Sequence, residues 1–179
     1  MSAAPTVLIL PGYGNSGPAH WQTLWERDHP AYRRVNQKSW DEPRRADWVG
    51  ELARAVNAAP GRVTLAAHSL GCVAVAHWAA MSAHCDRVTG ALLVAPPDIE
   101  RKDAPRDVHD FRPIPMAPLP FPTIVVASTD DLYSDFARAE AWAKAWGSRL
   151  LSLGAAGHIN RDAGYGPWPD GLALLAQLT

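Results

Sequence analysis

Short apolar runs alternate with amphipathic stretches along nearly the whole chain, from Thr6 to Leu178. Runs rich in Val, Ile and Leu predict strands at Thr6–Leu10, Arg33–Gln37, Arg62–Ala67, Val88–Ala95, Thr123–Ser128 and Ser148–Leu153. Apolar residues at three- and four-residue spacing predict helices near Ala19–Asp28, Pro43–Ala58, Leu70–Ala83, Ser134–Trp146 and Pro167–Leu178. In the second helix Val49, Leu52, Ala53 and Val56 mark one face, with Asp41 and Pro43 at its start and Asp47 in its first turn. The run at Thr123–Ser128 hardly alternates, as expected of a strand covered on both faces. Strand and helix taking turns in this way predict an α/β fold, a parallel sheet wrapped by helices.

At 179 residues the chain fits a single domain over 1–179, long enough for a substantial core. The exception to the alternation is 96–122, which carries eight of the sixteen prolines. Proline blocks helix interiors and removes backbone donors, so this is an irregular excursion between the fourth and fifth strands. It serves either as a stiff connector or as part of a site mouth. A net charge of −1 with scattered basic residues argues against nucleic-acid and membrane partners. The start, Met1-Ser2-Ala3-Ala4-Pro5, has no basic residue and no long apolar run, so no signal peptide is expected. Cys72 and Cys85 are read as free thiols, consistent with a cytoplasmic location.

Chemistry enters at Ala67-His68-Ser69-Leu70-Gly71. A buried run ends there and a small-residue helix starts at once, placing a serine at the apex of a sharp turn. This reads as the nucleophile elbow of an α/β-hydrolase, with Ala67 where G-x-S-x-G has its first glycine. A serine needs a base, a carboxylate to orient the base, and donors for the developing oxyanion. In this fold the acid and then the histidine follow, each after a strand. Thr123–Ser128 leads to Asp130 and Asp131, either of which fits as the acid or as a helix cap. The last strand leads through Gly154-Ala155-Ala156-Gly157 to His158, the only histidine after His109. The Leu70 N–H and one from the loop after the first strand, assigned to Tyr13, are expected to form the oxyanion hole.

That loop also matches G-x-G-x-x-G over Gly12–Gly17, but it lacks the Lys-Ser/Thr of a phosphate loop and no acidic ribose partner follows. The seven histidines show no metal-ligand spacing. No cofactor and no metal are expected. His68 is read as a structural elbow residue and His77 as a surface one. The paired tryptophans Trp21/Trp25 and Trp142/Trp146 are packing residues by default. Trp21 and Trp40, near the first two strand ends, are the candidates for lining an acyl pocket.

With these residues assembled, the chain resembles the small serine hydrolases grouped with bacterial YdeN and a human retinoblastoma-binding protein. The similarity is carried by Leu10-Pro11-Gly12-Tyr13-Gly14, His20-Trp21-Gln22-Thr23-Leu24-Trp25, Trp40-Asp41, Ala67–Gly71, Ser128-x-x-Asp131-x-Tyr133, Gly157-His158-Ile159-Asn160 and Gly164-x-Gly166-Pro167-Trp168. It implies a compact α/β-hydrolase with little or no lid and a triad of Ser69, Asp131 and His158. The family acid is usually the aspartate two before the tyrosine, commonly followed by proline; here Leu132 takes that proline position. The human relative's L-x-C-x-E motif is broken, since Leu70-Gly71-Cys72 is followed by Ala74 where glutamate is needed. No retinoblastoma-protein partner is therefore expected. The expectation is a six-stranded sheet in order 2-1-3-4-5-6 without a large cap domain. Acyl transfer from small acyl esters to water would take place in a shallow pocket. Amide hydrolysis, or binding with vestigial turnover, is the alternative.

Overall fold

A computed structural model describes residues 6–179; the reading of Met1–Pro5 lies outside the described residues. Six strands form one sheet: β1 (Thr6–Leu10), β2 (Tyr32–Arg34), β3 (Val63–His68), β4 (Val88–Val94), β5 (Thr123–Ala127) and β6 (Arg149–Ser152). Their order is β2-β1-β3-β4-β5-β6 and every pairing is parallel, as the alternating pattern predicts. The helices are α1 (Trp21–Asp28), α2 (Arg45–Ala58), α3 (Leu70–Met81), α4 (Phe136–Trp146) and α5 (Pro169–Leu175).

The two-residue period of a strand sends its side chains into two cores. Leu8 and Leu10 of β1 face α2, α3 and α4, together with Leu52, Val73, Trp78 and Trp142. Val7 and Ile9 face α1 and α5, together with Trp21, Trp25, Trp168 and Leu175. Winding reverses between β1 and β3, so the crevice at their C-terminal ends is where an open α/β sheet places its ligands.

Several boundaries differ from the pattern's prediction. The strand β2 ends at Arg34 because it is an edge strand paired with β1 alone through three residues; only the Val35 N–H continues, to Ile9 O at 2.9 Å. Helix α2 starts two residues late, and Asp41 does not cap it. The carboxylate of Asp110, 65 residues away, accepts the Arg45 N–H at 2.7 Å. Short 3₁₀ turns at Cys85–Arg87, Arg106–Phe111 and Arg161–Ala163 were not predicted; three to six residues are too few to show a period. His77 is not a surface residue. It is buried on α3, which is covered from Leu70 to Trp78, and its Nε2 bonds Phe111 O at 2.7 Å. Both cysteines are free, and among the described residues no helix is long and apolar enough to cross a membrane.

Candidate active site

The turn between β3 and α3 forces Ser69 into φ 53°, ψ −127°, a conformation that costs a non-glycine residue on the order of 1–3 kcal/mol. The surroundings hold it there. The Ser69 N–H donates to Val94 O at 2.9 Å and its carbonyl accepts the Cys72 N–H at 2.9 Å. Gly71 passes so close to β1 that a Cβ would stand 2.4 Å from Leu10 O. Gly12, after β1, is equally constrained: a Cβ there would meet Ser69 Cβ at 2.7 Å. The two loops therefore touch, and only glycine permits it.

Ser69 Oγ lies 2.9 Å from His158 Nε2, and His158 Nδ1 lies 2.9 and 3.0 Å from the two Asp131 oxygens. Asp131 is almost fully buried at 3% side-chain exposure, and His158 is 11% exposed. An imidazole held between a carboxylate and a hydroxyl is poised to take the hydroxyl proton. Of the two adjacent aspartates only Asp131 reaches the imidazole, and its Oδ1 also accepts the Tyr133 N–H at 2.9 Å. Asp130 turns the other way, accepting Ser128 Oγ–H and the Gly157 N–H, each at 2.7 Å. These bonds hold its carboxyl below the usual range and tie the loop after β5 to the loop carrying His158. Neither aspartate caps α4, whose N-cap is Asp135.

Around His158 the backbone is unusual on both sides, with Gly157 at φ 55° and Ile159 at φ 48°. A β-branched residue at positive φ is an outlier that its neighbours must enforce. Here the Ile159 carbonyl accepts Trp21 Nε1–H at 2.9 Å and its N–H donates to Ala156 O at 3.1 Å. This corrects the reading of Trp21 as a pocket residue. Its ring is fully buried against Trp25 and Trp168, and it braces the histidine loop from beneath. Trp40 is corrected likewise. It does not line the cavity; its ring packs on Trp48 and its carbonyl accepts the Gly14 N–H at 3.0 Å.

That last bond bears on the oxyanion donors. In the loop after β1, Gly14 N–H is used by Trp40 O and Asn15 N–H by Gly12 O. Among the described residues no backbone partner takes the N–H of Tyr13, or that of Leu70 in the first turn of α3. Both residues border the cavity with Ser69.

Two histidines whose function the sequence did not reveal lie against His158. His68 Nε2 bonds His158 O at 2.8 Å and the rings meet edge-on at 4.8 Å. His20 packs on His68 at 4.8 Å, and its Nδ1 accepts the Gln22 N–H at 3.1 Å to cap α1. Burial keeps both neutral: His68 is held well below the usual imidazole range, and His20 is lowered to about 4, with Arg34 and His158 adding to the effect of burial. Buried Gln22 completes this layer, donating to Leu10 O and Ala66 O and accepting from Ser16 Oγ. No local signal marks these contacts, because the partners of His68 and Gln22 lie far along the chain.

The cavity over Ser69 measures about 370 Å³. Pro97, Ile99, Arg101, Ala104, Pro105 and Val108 line it from one side, so the 96–122 excursion is a wall of the site and not merely a connector.

The fold and the sequence have recognisable relatives. A YdeN-like hydrolase of Pectobacterium atrosepticum is 36% identical, with a TM-score of 0.85 over 97% of this chain and 89% of that one. The ydeN gene product of B. subtilis is 21% identical, with a TM-score of 0.74 over 98% of both chains. Est1E of Butyrivibrio proteoclasticus is 13% identical, with a TM-score of 0.71 over 97% of this chain and 86% of that one. The last two bear on the fold alone. No curated protein matches in sequence. The model of the serine hydrolase family matches residues 7–177, and the chain belongs to that family.

Proposed function

We propose that this hydrolase is a carboxylic ester hydrolase working through an acyl-enzyme. The observation that carries the reading is the imidazole of His158, bonded to Ser69 Oγ on one side and to the Asp131 carboxylate on the other. Ser69 Oγ attacks the ester carbonyl while His158 Nε2 takes its proton. The N–H groups of Leu70 and Tyr13 hold the resulting oxyanion. Collapse of the tetrahedral intermediate breaks the ester C–O bond, and His158 returns the proton to the departing alkoxide. Water then attacks the acyl group by the same route, releasing the acid and restoring Ser69. Asp131 keeps the Nδ1–H tautomer and stabilises the transient imidazolium. No step calls for a cofactor, and a small acyl ester and water are the partners this reading requires. The two free thiols favour a reducing, cytoplasmic setting.

A fluorophosphonate probe tests the nucleophile directly. The wild type labels and hydrolyses p-nitrophenyl acetate, and Ser69→Ala and His158→Ala do neither. Labelling of Ser69→Ala at the wild-type rate overturns the assignment.

A further inference from the structure

The lining of the cavity says more about the ester. Arg101 is the one guanidinium among the lining residues; three of its five N–H donors are taken, two of them by the carboxylate of Asp103, which also lines the cavity. Nε donates to Asp103 Oδ1 and Nη1 to Leu132 O, each at 2.6 Å, and Nη2 donates to Asp103 Oδ2. Asp98 is engaged too, with Oδ1 accepting the Glu100 N–H at 3.0 Å and Oδ2 facing Arg138 Nε at 3.1 Å. The charges of Arg101, Asp103 and Asp98 are thus each paired within the protein, which leaves no unpaired charge on this wall to select a substrate carboxylate or ammonium. The rest of this wall, Pro97, Ile99, Ala104, Pro105 and Val108, is apolar.

The mouth continues that surface. Tyr13, Leu132 and Tyr133 line the cavity and stand 43%, 79% and 50% exposed. Among the described residues only Met81 and Met116 are comparably exposed large apolar side chains, and neither lines it. A lone exposed leucine needs no explanation, whereas three such side chains around one cavity form a surface suited to being covered. Leu132 lines the same cavity as Ser69, so a substrate group that covers it can belong to the ester that Ser69 attacks.

We propose that the site selects esters bearing an uncharged apolar group of roughly four to eight carbons, a size suited to a small cavity, and that Leu132 is the specificity-determining residue. The inference rests on the ester-hydrolase reading above and names the substrate class of that site.

Two substrate series test it: p-nitrophenyl esters from acetate to octanoate, and alkyl acetates from methyl to octyl. Each fully buried methylene is worth about fourfold in kcat/KM, so with partial burial the six-carbon member of the rising series should exceed its shortest member on the order of 10- to 100-fold. A rise in the first series places the apolar group on the acyl side, and a rise in the second places it on the alcohol side. In whichever series rises, Leu132→Ser should lower the ratio of the six-carbon to the shortest ester about fivefold and Leu132→Met should keep it. The ratio within one preparation cancels the amount of folded enzyme. Flat profiles in both series, or a ratio that Leu132→Ser leaves unchanged, overturn the proposal while fluorophosphonate labelling persists. Loss of labelling in the wild type would instead defeat the ester-hydrolase reading itself.

Discussion

The floor of the cavity and its wall are built by different means. The floor comes from the turns after β1, β3, β5 and β6, and backbone groups fix it in place: Ser69 N–H on Val94 O, Leu153 N–H on Ala127 O, and Thr129 N–H on Gly154 O. Its side-chain ties are buried, as with Trp21 on Ile159 O and Ser128 Oγ accepting the Ala156 N–H. The wall, 96–122, is anchored in the core by Phe111, Ile114 and Phe121 and by His77 on Phe111 O, while its rim is held by side chains reaching across long sequence separations. Arg101 donates to Leu132 O, Tyr13 OH to Asp107, and Arg138 to Glu100, all exposed to solvent. Buried bonds in a dry setting resist rearrangement, while exposed ones are worth little individually. The floor is therefore suited to fixing the geometry of the chemistry, and the wall to shaping what enters.

The sharpest break in that division lies between two adjacent residues of the floor. Asp131→Asn removes the carboxylate from His158 and should lower kcat by about 10³- to 10⁴-fold, as loss of the orienting acid does in a triad. Asp130→Ala removes a clamp between two loops, so its main effect should be on thermal stability with a smaller loss of kcat. Steady-state kinetics and melting curves on the pair decide the matter. A larger kcat loss at position 130 would reverse the assignment.

The floor should also respond to acid more than the exposed wall does. His20 is held at about 4 in the folded chain, against an ordinary value near 6.5 in the unfolded one. As pH falls below 6.5 the unfolded chain gains a proton that the folded chain refuses. Stability is then full above about pH 6.5 and falls towards pH 4, by about 3 kcal/mol for His20, with His68 acting in the same direction. His20→Asn keeps an acceptor for the Gln22 N–H but cannot titrate. Urea melts between pH 4 and 7 should show a slope shallower by up to about 1.4 kcal/mol per pH unit. Equal slopes would mean that His20 takes up its proton without unfolding.

The same contrast explains what was legible in the sequence. The strands and the loops that carry Ser69, the aspartate pair and His158 rest on local signals, apolar runs and the glycines that permit close turns, while the strand order follows from the crossover rule and the family topology. The choice of Asp131 over Asp130 needed the family pattern, since both stand in the same loop. Trp21, Trp40, His77 and the 96–122 wall are misread or left open by the pattern because their surroundings are set by partners outside their own element. Trp21 bonds a carbonyl 138 residues away, His77 one 34 residues away. Aromatic spacing showed that Trp21 and Trp25 share a face, but not that the face supports a loop.

His68 offers an intermediate effect. Its Nε2–H donates to the carbonyl of the very residue whose ring bonds Ser69 Oγ, so the elbow grips His158 at two points. His68→Ala should lower kcat about 10- to 100-fold with KM nearly unchanged, the cost of a misplaced base. His68→Gln, which can place an amide N–H near the same carbonyl, should recover most of it. If the alanine variant changes only the melting temperature, or if glutamine rescues nothing, His68 is packing and not a positioning residue.

The smallest effect should come where floor and wall meet in solvent. Tyr13 OH donates to Asp107 Oδ2 at 3.2 Å, joining the loop after β1 to the excursion across 94 residues. An exposed bond of this kind contributes on the order of 0.5–1 kcal/mol, and Tyr13→Phe keeps the ring and the backbone N–H. The expected result is a KM raised at most about threefold, with kcat unchanged and the same ratio of hexanoate to acetate rates. Asp107→Asn, which leaves an acceptor for the phenol, should do less still. A tenfold fall in kcat for Tyr13→Phe would show that the phenol positions the loop after β1. The line between a rigid floor and an adaptable wall would then have to be drawn beyond Asp107.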